Sequence, residues 1–162
     1  MRLALPSWRF LVSHPAHFVA LGFGAGLAPV APGTFGTLLA IPLAIGLDAR
    51  FGDTGLLLAV LAFSLIGVWA ASVTGRDLGV PDHGAIVCDE TVAFLLVLYF
   101  VGLGWVDIAF AFLLFRFFDI VKPPPIRQVD AALKNGVGVM ADDFLAAGYT
   151  LLVLAAWRRI SE

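Results

Sequence analysis

The chain has 162 residues, of which 60% are apolar and only 14% charged, and its mean hydropathy is +0.97. Since a soluble domain usually carries about 25% charged residues, this composition argues against a soluble globular protein, and the length favours one domain, 1–162. The formal net charge of −2 and the lack of a basic run exclude a nucleic-acid partner, and the single cysteine excludes an internal disulfide framework.

The first third of the chain is predicted to form two short helices. No charged residue occurs between Arg9 and Asp48, but prolines and glycines interrupt this apolar stretch within residues 27–37, and they do not continue a helix. We therefore expect a helix over about Pro15–Gly26, then a loop, and a second helix over about Thr37–Leu47.

The middle of the chain contains the clearest transmembrane candidate. A polar turn at Asp48–Thr54 precedes Gly55–Gly75, a charge-free run of 21 residues, which is long enough to cross about 30 Å of hydrocarbon. A polar loop, Arg76–Glu90, follows. The next apolar segment, Thr91–Phe118, is too long for one untilted span, and we predict a helical hairpin with its tip at Gly102–Trp105.

The last quarter is predicted to return to the membrane after a polar stretch. The prolines of Lys122–Arg127 stop a helix. Asp130–Asn135 is expected to lie at the membrane interface, Gly136–Gly138 to form a turn, and the last apolar helix to run over about Asp142–Trp157. The predicted fold is therefore all-α: a multi-span helical membrane protein with short helices, some of which can be re-entrant.

The polar loops are predicted to converge on one membrane edge. A hairpin folded at its glycine-rich tip returns Arg116 to the level of Glu90, because each lies 12 residues from the nearer glycine, Gly104 or Gly102. The helix pair around the Asp48–Thr54 turn brings the loop of residues 29–37 to the same edge. The positive-inside rule assigns this edge to the cytoplasm, because most basic residues lie on it: Arg2, Arg9, Arg76, Arg116, Lys122, Arg127 and Lys134.

Carboxylates and basic side chains at this edge have the chemistry of phosphoryl transfer. The candidate carboxylates are Asp82, Asp89, Glu90, Asp119, Asp142 and Asp143. Oxygen-only ligands suit Mg²⁺, whereas zinc is disfavoured because Cys88 is alone and His83 is the only nearby histidine. The groups available to grip a phosphate are Arg116, Lys122 and Arg127. A metal beside such groups polarises a phosphoryl oxygen and lowers the pKa of an attacking water.

Each of these features also has a purely structural explanation. An acidic pair such as Asp142-Asp143 can stabilise a helix N-terminus through the helix dipole. The i,i+3 spacing of Arg116 and Asp119 fits an ordinary helix ion pair, and His83 can be a turn residue. The functional interpretation rests on the coincidence of three short clusters of suitable chemistry at one depth.

Five short motifs follow one another between about His14 and Trp157. In chain order they are Pro32-Gly-Thr-Phe-Gly36, Asp82-His-Gly-Ala-Ile-Val-Cys-Asp-Glu90, Phe115-Arg-Phe-Phe-Asp119, Lys122-Pro-Pro-Pro-Ile-Arg127 and Gly138-Val-Met-Ala-Asp-Asp143. Together they resemble the phosphatidylglycerophosphatase A family, with Ala93 at a position that is often glycine. The resemblance implies an all-helical fold and Mg²⁺-dependent hydrolysis of phosphatidylglycerophosphate to phosphatidylglycerol and phosphate at the bacterial inner membrane.

The resemblance also implies roles for individual residues. The implied metal ligands are Asp89, Glu90, Asp142 and Asp143. The implied catalytic residues are Asp82, His83, Asp89, Glu90 and Asp119. The phosphate-binding groups are expected to be Arg116, Lys122, Arg127 and Thr34. The implied nucleophile is a metal-activated water.

Alternatives from other classes fit the sequence less well. A type-2 phosphatidic acid phosphatase needs two histidines in polar motifs, and only His83 lies in one. The motif of a CDP-alcohol phosphotransferase does not fit. A small transporter or ion-binding membrane protein would carry acidic residues at mid-span, where only Asp107 is a candidate. The expected partners are the lipid substrate and membrane lipids, the protein is expected to be multi-pass with its active site at the cytoplasmic face, and the Gly22–Gly26 run leaves an oligomer open.

Overall fold

The computed structural model describes residues 5–133 and 135–161, so Arg2 and Lys134, counted above as basic residues of one edge, lie outside them. The described residues form seven α-helices and one 3₁₀ segment and contain no strand, which confirms the all-α prediction. The elements are α1 (Trp8–Ser13), α2 (Pro15–Ala20), the 3₁₀ segment Gly22–Leu27, α3 (Pro32–Leu78), α4 (Cys88–Val101), α5 (Trp105–Val121), α6 (Ile126–Ala132) and α7 (Gly136–Ser161).

The predicted continuous helix over Pro15–Gly26 is wrong. Helix α2 ends at Ala20, and the backbone is left-handed at Phe23 (φ +56°) and at the glycines on either side of it, which a helix cannot accommodate. The segment is tied down instead. His17 Nε2 lies 2.8 Å from Asp77 Oδ2, and the carbonyl of Ala20 accepts a hydrogen bond of 2.8 Å from the N–H of Val87.

Helix α3 is a hairpin of two helices joined at Gly52. The backbone of Gly52 has φ +65° and ψ −173°, a region essentially restricted to glycine. Gly36 packs against Val87, and Gly67 lies near Cys88, although a straight helix would hold these two glycines about 46 Å apart. The chain therefore reverses at Gly52, within the turn predicted at residues 48–54.

The reversal at Gly52 leads to a direct stability prediction. We expect Gly52→Ala to lower the free energy of unfolding by about 1–3 kcal/mol, because alanine must adopt a backbone conformation that its Cβ disfavours. Gly46→Ala is the matched control, because a Cβ at Gly46 would meet no atom within 4 Å and alanine favours the helix. Thermal unfolding in detergent measures both variants, and equal midpoints for the two would contradict the interpretation of the hairpin.

Apolar side chains cover the outside of the helices. Two described helices, Pro32–Leu78 and Gly136–Ile160, are long and apolar enough to cross a membrane. Large exposed side chains project from α3, α5 and α7, among them Leu58, Leu65, Phe110, Leu113, Ile120 and Leu152. Exposed apolar side chains along several helices are typical of contact with membrane lipid, and with the two long apolar helices they make the chain an all-α membrane protein.

The predicted hairpin over Thr91–Phe118 is confirmed as α4 and α5, with the break at residues 102–104. Phe94 and Phe115 are fully buried between the elements and form part of the main core. The edge of the bundle that holds this break and Gly52 is called the far edge. There, Arg158 Nη2 lies 3.0 Å from the carbonyl of Val101 and 3.0 Å from Asp107 Oδ1. Asp107 is therefore paired at an edge, which weakens the transporter alternative.

The last helix begins earlier than predicted. Helix α7 starts at Gly136, so the predicted turn at Gly136–Gly138 and the predicted start at Asp142 are both wrong. The reason is a local cap: the side-chain Oδ1 of Asn135 accepts a hydrogen bond of 3.0 Å from the N–H of Gly138, which satisfies one of the free donors of a helix N-terminus. Asp142 and Asp143 consequently lie inside α7, away from its first turn.

Candidate metal and phosphate site

Parts of four helices meet at one edge of the bundle, which we call the site edge. Helices α3 and α4 begin there, α5 ends there, and the second and third turns of α7 pass through it. The hairpins of α3 and of α4 with α5 produce this arrangement, since each returns the chain to the edge from which it started. The polar clusters that are far apart in sequence thereby become neighbours.

Three carboxylates form a buried cluster at the site edge. Asp89, Glu90 and Asp143 can each place one oxygen so that all three lie within 4.8 Å of one another. Asp89 is 7% and Asp143 only 3% exposed. In the part of the chain that the structure describes, Asp89 Oδ1 and Glu90 Oε2 are buried without a hydrogen-bond partner.

The chemistry of this cluster fits a divalent cation. Buried carboxylates repel one another, and an unpaired buried oxygen costs about 1–3 kcal/mol. A hard cation such as Mg²⁺ would offset the repulsion between the carboxylates and give the unpaired oxygens a partner, because it is bound by carboxylate oxygens and by waters. The unpartnered oxygens of Asp89 and Glu90 are the observation that supports this fit.

Arg116 connects three helices beside the cluster. Its Nη1 lies 2.6 Å from Asp119 Oδ2 and 3.8 Å from Glu90 Oε1, and 3.4 Å from Thr37 Oγ1. Its Nε is buried and has no hydrogen-bond partner within the described ranges. The guanidinium is therefore held in place on one side and keeps a donor available for an anion.

Gly33 allows the start of α3 to approach this group. A Cβ at Gly33 would lie 2.1 Å from Glu90 Oε1 and 3.2 Å from Arg116 Nη1, so a side chain there would displace both. Thr37, one turn later, donates its hydroxyl to the carbonyl of Gly33 at 2.9 Å. Thr37 is not recognisable as a site residue from the sequence, because it lies at the start of the predicted second helix without an acidic or basic neighbour.

Lys122 is the second positive charge at the site edge. Its Nζ forms an ion pair with Asp142 and lies 3.6 Å from Asp130 Oδ1. Partial burial alone would lower the pKa of Lys122, but the hydrogen bond and charge of Asp142, together with the charge of Asp130, outweigh it and raise the pKa above its ordinary value. Lys122 is therefore an ammonium at neutral pH.

The predicted group of four metal ligands is divided between two places. Asp143 joins Asp89 and Glu90 in the cluster, whereas Asp142 pairs with Lys122. Asp130 also contacts Lys122, a role that the sequence did not indicate, because an aspartate after a proline-rich segment is usually solvated.

Four other predicted site residues lie apart from these contacts. Asp82 is exposed, and Arg127 is exposed on α6. His83 is buried in a turn, where its Nδ1 accepts a hydrogen bond of 3.2 Å from the N–H of Ala85. Thr34 is half-buried in the first turn of α3. None of the four forms a hydrogen bond or ion pair with the carboxylate cluster in the residues described.

Comparison with known proteins gives consistent matches over most of the chain. Residues 18–158 match the family model described as phosphatidylglycerophosphatase A. The chain is 43% identical over 152 residues to phosphatidylglycerophosphatase A of Haemophilus influenzae, with 93% of each chain covered. It is 39% identical over 139 residues to phosphatidylglycerophosphatase A of Escherichia coli, with coverage of 85% of this chain and 80% of the relative.

A third relative carries a different name. The chain is 40% identical over 148 residues to a putative phosphatidylinositol-3-phosphatase of Bacteroides thetaiotaomicron, with coverage of 86% of this chain and 91% of the relative. No solved structure matches the chain.

Proposed function

The chain belongs to the phosphatidylglycerophosphatase A family, and from this premise we propose that it hydrolyses phosphatidylglycerophosphate to phosphatidylglycerol and inorganic phosphate. The observation that carries the proposal is the meeting of a buried carboxylate cluster with two positive charges at one edge of a membrane protein. A lipid phosphate in the headgroup layer would lie at the depth of these side chains.

Asp89, Glu90 and Asp143 would hold the metal, for which Mg²⁺ is the proposed identity because all three ligands are carboxylates. When bound there, Mg²⁺ would polarise a phosphoryl oxygen and lower the pKa of an attacking water. The unpartnered oxygens Asp89 Oδ1 and Glu90 Oε2 are the atoms with which these two carboxylates would bind the metal.

The basic side chains would bind and orient the phosphate. Arg116 presents a planar guanidinium suited to two phosphate oxygens, and Asp119 holds it in position at 2.6 Å. Lys122 would neutralise further negative charge, and Asp142 positions it. We assign no step to Asp82, His83, Arg127 or Thr34, since their described contacts lie outside this arrangement.

The helices also support a placement in the membrane. The two halves of α3, together with α4, α5 and α7, would make five crossings, with the site edge on one side. Among the described basic residues, those at the site edge are Arg9, Arg76, Arg116, Lys122 and Arg127, and those at the far edge are Arg50, Arg158 and Arg159. By the positive-inside rule the site edge would face the cytoplasm of the bacterial inner membrane.

Metal removal tests the metal part of the proposal. The purified protein in detergent should release phosphate from phosphatidylglycerophosphate with Mg²⁺, and EDTA should lower the rate at least about a hundredfold, because the metal supplies charge stabilisation and the activated water. Re-adding Mg²⁺ should restore the rate. Activity that survives EDTA would exclude the metal from the mechanism.

The same assay compares lipid substrates. Phosphatidylinositol 3-phosphate should be included, because one relative carries the name of a phosphatase for that class of lipid. Faster hydrolysis of the inositol lipid than of phosphatidylglycerophosphate would overturn the proposed substrate and leave the proposed metal site untouched.

A further inference from the structure

A groove lies at the far edge of the bundle, between the end of α4 and the last turns of α7. It encloses about 850 Å³ and is lined mainly by apolar side chains, with two arginines at one end: Phe100, Val101, Leu151, Leu152, Arg158 and Arg159. Gly148 also lines it, and a Cβ at Gly148 would meet no atom within 4 Å. The groove is thus open where α7 carries no side chain.

The two arginines give one end of the groove a net positive charge. Arg158 is held at 3.0 Å by both the carbonyl of Val101 and the carboxylate of Asp107, and its side chain is still half-exposed. Arg159 is exposed and makes no ion pair with any described residue. Among the described residues, two guanidinium groups therefore lie near one carboxylate, Asp107, which leaves a net positive charge that suits an anion.

Tryptophans place this end at the depth of the lipid headgroups. Trp105 at the start of α5 is 74% exposed, and Trp157 near the end of α7 is 67% exposed, as is typical of side chains at a membrane interface. From Gly148 to Arg158, α7 extends about 15 Å. The apolar part of the groove consequently runs from the headgroup level toward the middle of the hydrocarbon.

We infer that this groove binds an anionic phospholipid. Its phosphate contacts Arg158 and Arg159, and one acyl chain lies along Gly148 and Leu152. Charge complementarity selects an anionic headgroup over a zwitterionic one, since each basic residue near the membrane surface contributes about 1 kcal/mol to binding of acidic lipids. The groove is at the opposite edge from the carboxylate cluster, so the inference does not depend on the proposed phosphatase activity.

Native mass spectrometry of the delipidated protein tests the inference. The probes are cardiolipin, which is anionic and carries no phosphate monoester, and phosphatidylcholine, which is zwitterionic. We expect cardiolipin adducts to exceed phosphatidylcholine adducts, and Arg159→Gln to reduce cardiolipin binding about fivefold. Arg50→Gln is the matched control, because Arg50 is also exposed at the far edge but stacks on Phe51, away from the groove.

A second variant tests the shape of the groove without changing its charge. Gly148→Leu should fill the groove and reduce cardiolipin adducts by a similar factor, with thermal unfolding as the check that the protein is folded. Equal binding of both lipids by the unaltered protein, or equal cardiolipin binding by Arg159→Gln and Arg50→Gln, would overturn the inference. So would a shift from dimer to monomer in Gly148→Leu without loss of lipid, since the groove would then bind a second copy of the chain.

Discussion

Replacing Asp89 by asparagine is expected to lower the rate of phosphate release from phosphatidylglycerophosphate at least about a hundredfold, without lowering the stability of the protein in EDTA. Asp89 is one of three buried carboxylates whose oxygens lie within 4.8 Å of one another. Asparagine keeps the shape but removes one negative charge, so it weakens the proposed metal site and at the same time removes the repulsion of residue 89 with Glu90 and with Asp143.

The two effects of Asp89→Asn can be measured separately. For the unaltered protein, Mg²⁺ should raise the thermal unfolding midpoint, because a ligand that binds only the folded state stabilises it. In Asp89→Asn this rise should disappear, while the midpoint in EDTA stays the same or increases. Asp53→Asn makes the same chemical change at an exposed position of the far edge. It should leave unchanged the midpoint in EDTA and the rise in midpoint that Mg²⁺ produces. An Asp89→Asn protein with full activity would refute the site assignment.

Replacing Arg116 by glutamine is expected to affect both catalysis and folding. Its side chain is 14% exposed and contacts Asp119 and Glu90, so its removal leaves buried carboxylates without a counter-charge. Breaking a buried ion pair in this way costs about 3 kcal/mol or more. Loss of the guanidinium that we propose to bind phosphate should lower the rate of phosphate release at least about a hundredfold.

Arg116→Lys separates the electrostatic role of this residue from its role in binding phosphate. Lysine retains the positive charge and should recover much of the lost stability, but it lacks the planar pair of donors that binds two phosphate oxygens, so the rate should remain low. Arg76→Gln, which removes an exposed arginine at the same edge, is the control for nonspecific loss of charge. Full activity of Arg116→Lys would show that only the charge is needed.

Much of the site could be predicted from chain spacing. The hairpin tip lies equally far from Glu90 and Arg116, and the structure brings these side chains to 3.8 Å. The helix pair joined by the Asp48–Thr54 turn likewise predicts that residues 29–37 lie at this edge, where Gly33 adjoins Glu90. Such predictions succeed because the rise per residue is the same for all α-helices, so equal numbers of residues give equal depths.

The division of the Asp142-Asp143 pair could not be predicted in the same way. Consecutive side chains of a helix point about 100° apart, so two adjacent aspartates inside α7 face different neighbours. Whether they lie inside the helix depends on its start, which is set by the cap between Asn135 and Gly138. Asp143 thus reaches the cluster, while Asp142 reaches Lys122.

The prediction of a continuous helix over Pro15–Gly26 was wrong for a different reason. Its apolar composition favours a membrane helix, but the left-handed backbone at Phe23 and the contact between His17 and Asp77 hold it at the site edge. Composition carries no information about a pairing over such a separation in sequence. The same limit applies to Asp107, whose partner Arg158 also lies far away in the sequence.

The position of Asp143 on the last helix determines when the carboxylate cluster can form. A chain under synthesis emerges from its N-terminus and can pack its earlier segments first, so Asp89 and Glu90 enter the membrane well before Asp143 is made. The trio of carboxylates exists only after α7 has docked against α4. An incompletely synthesised chain therefore holds two carboxylates of the cluster without the third, and under the proposed function it would act on lipids only once its final helix is in place.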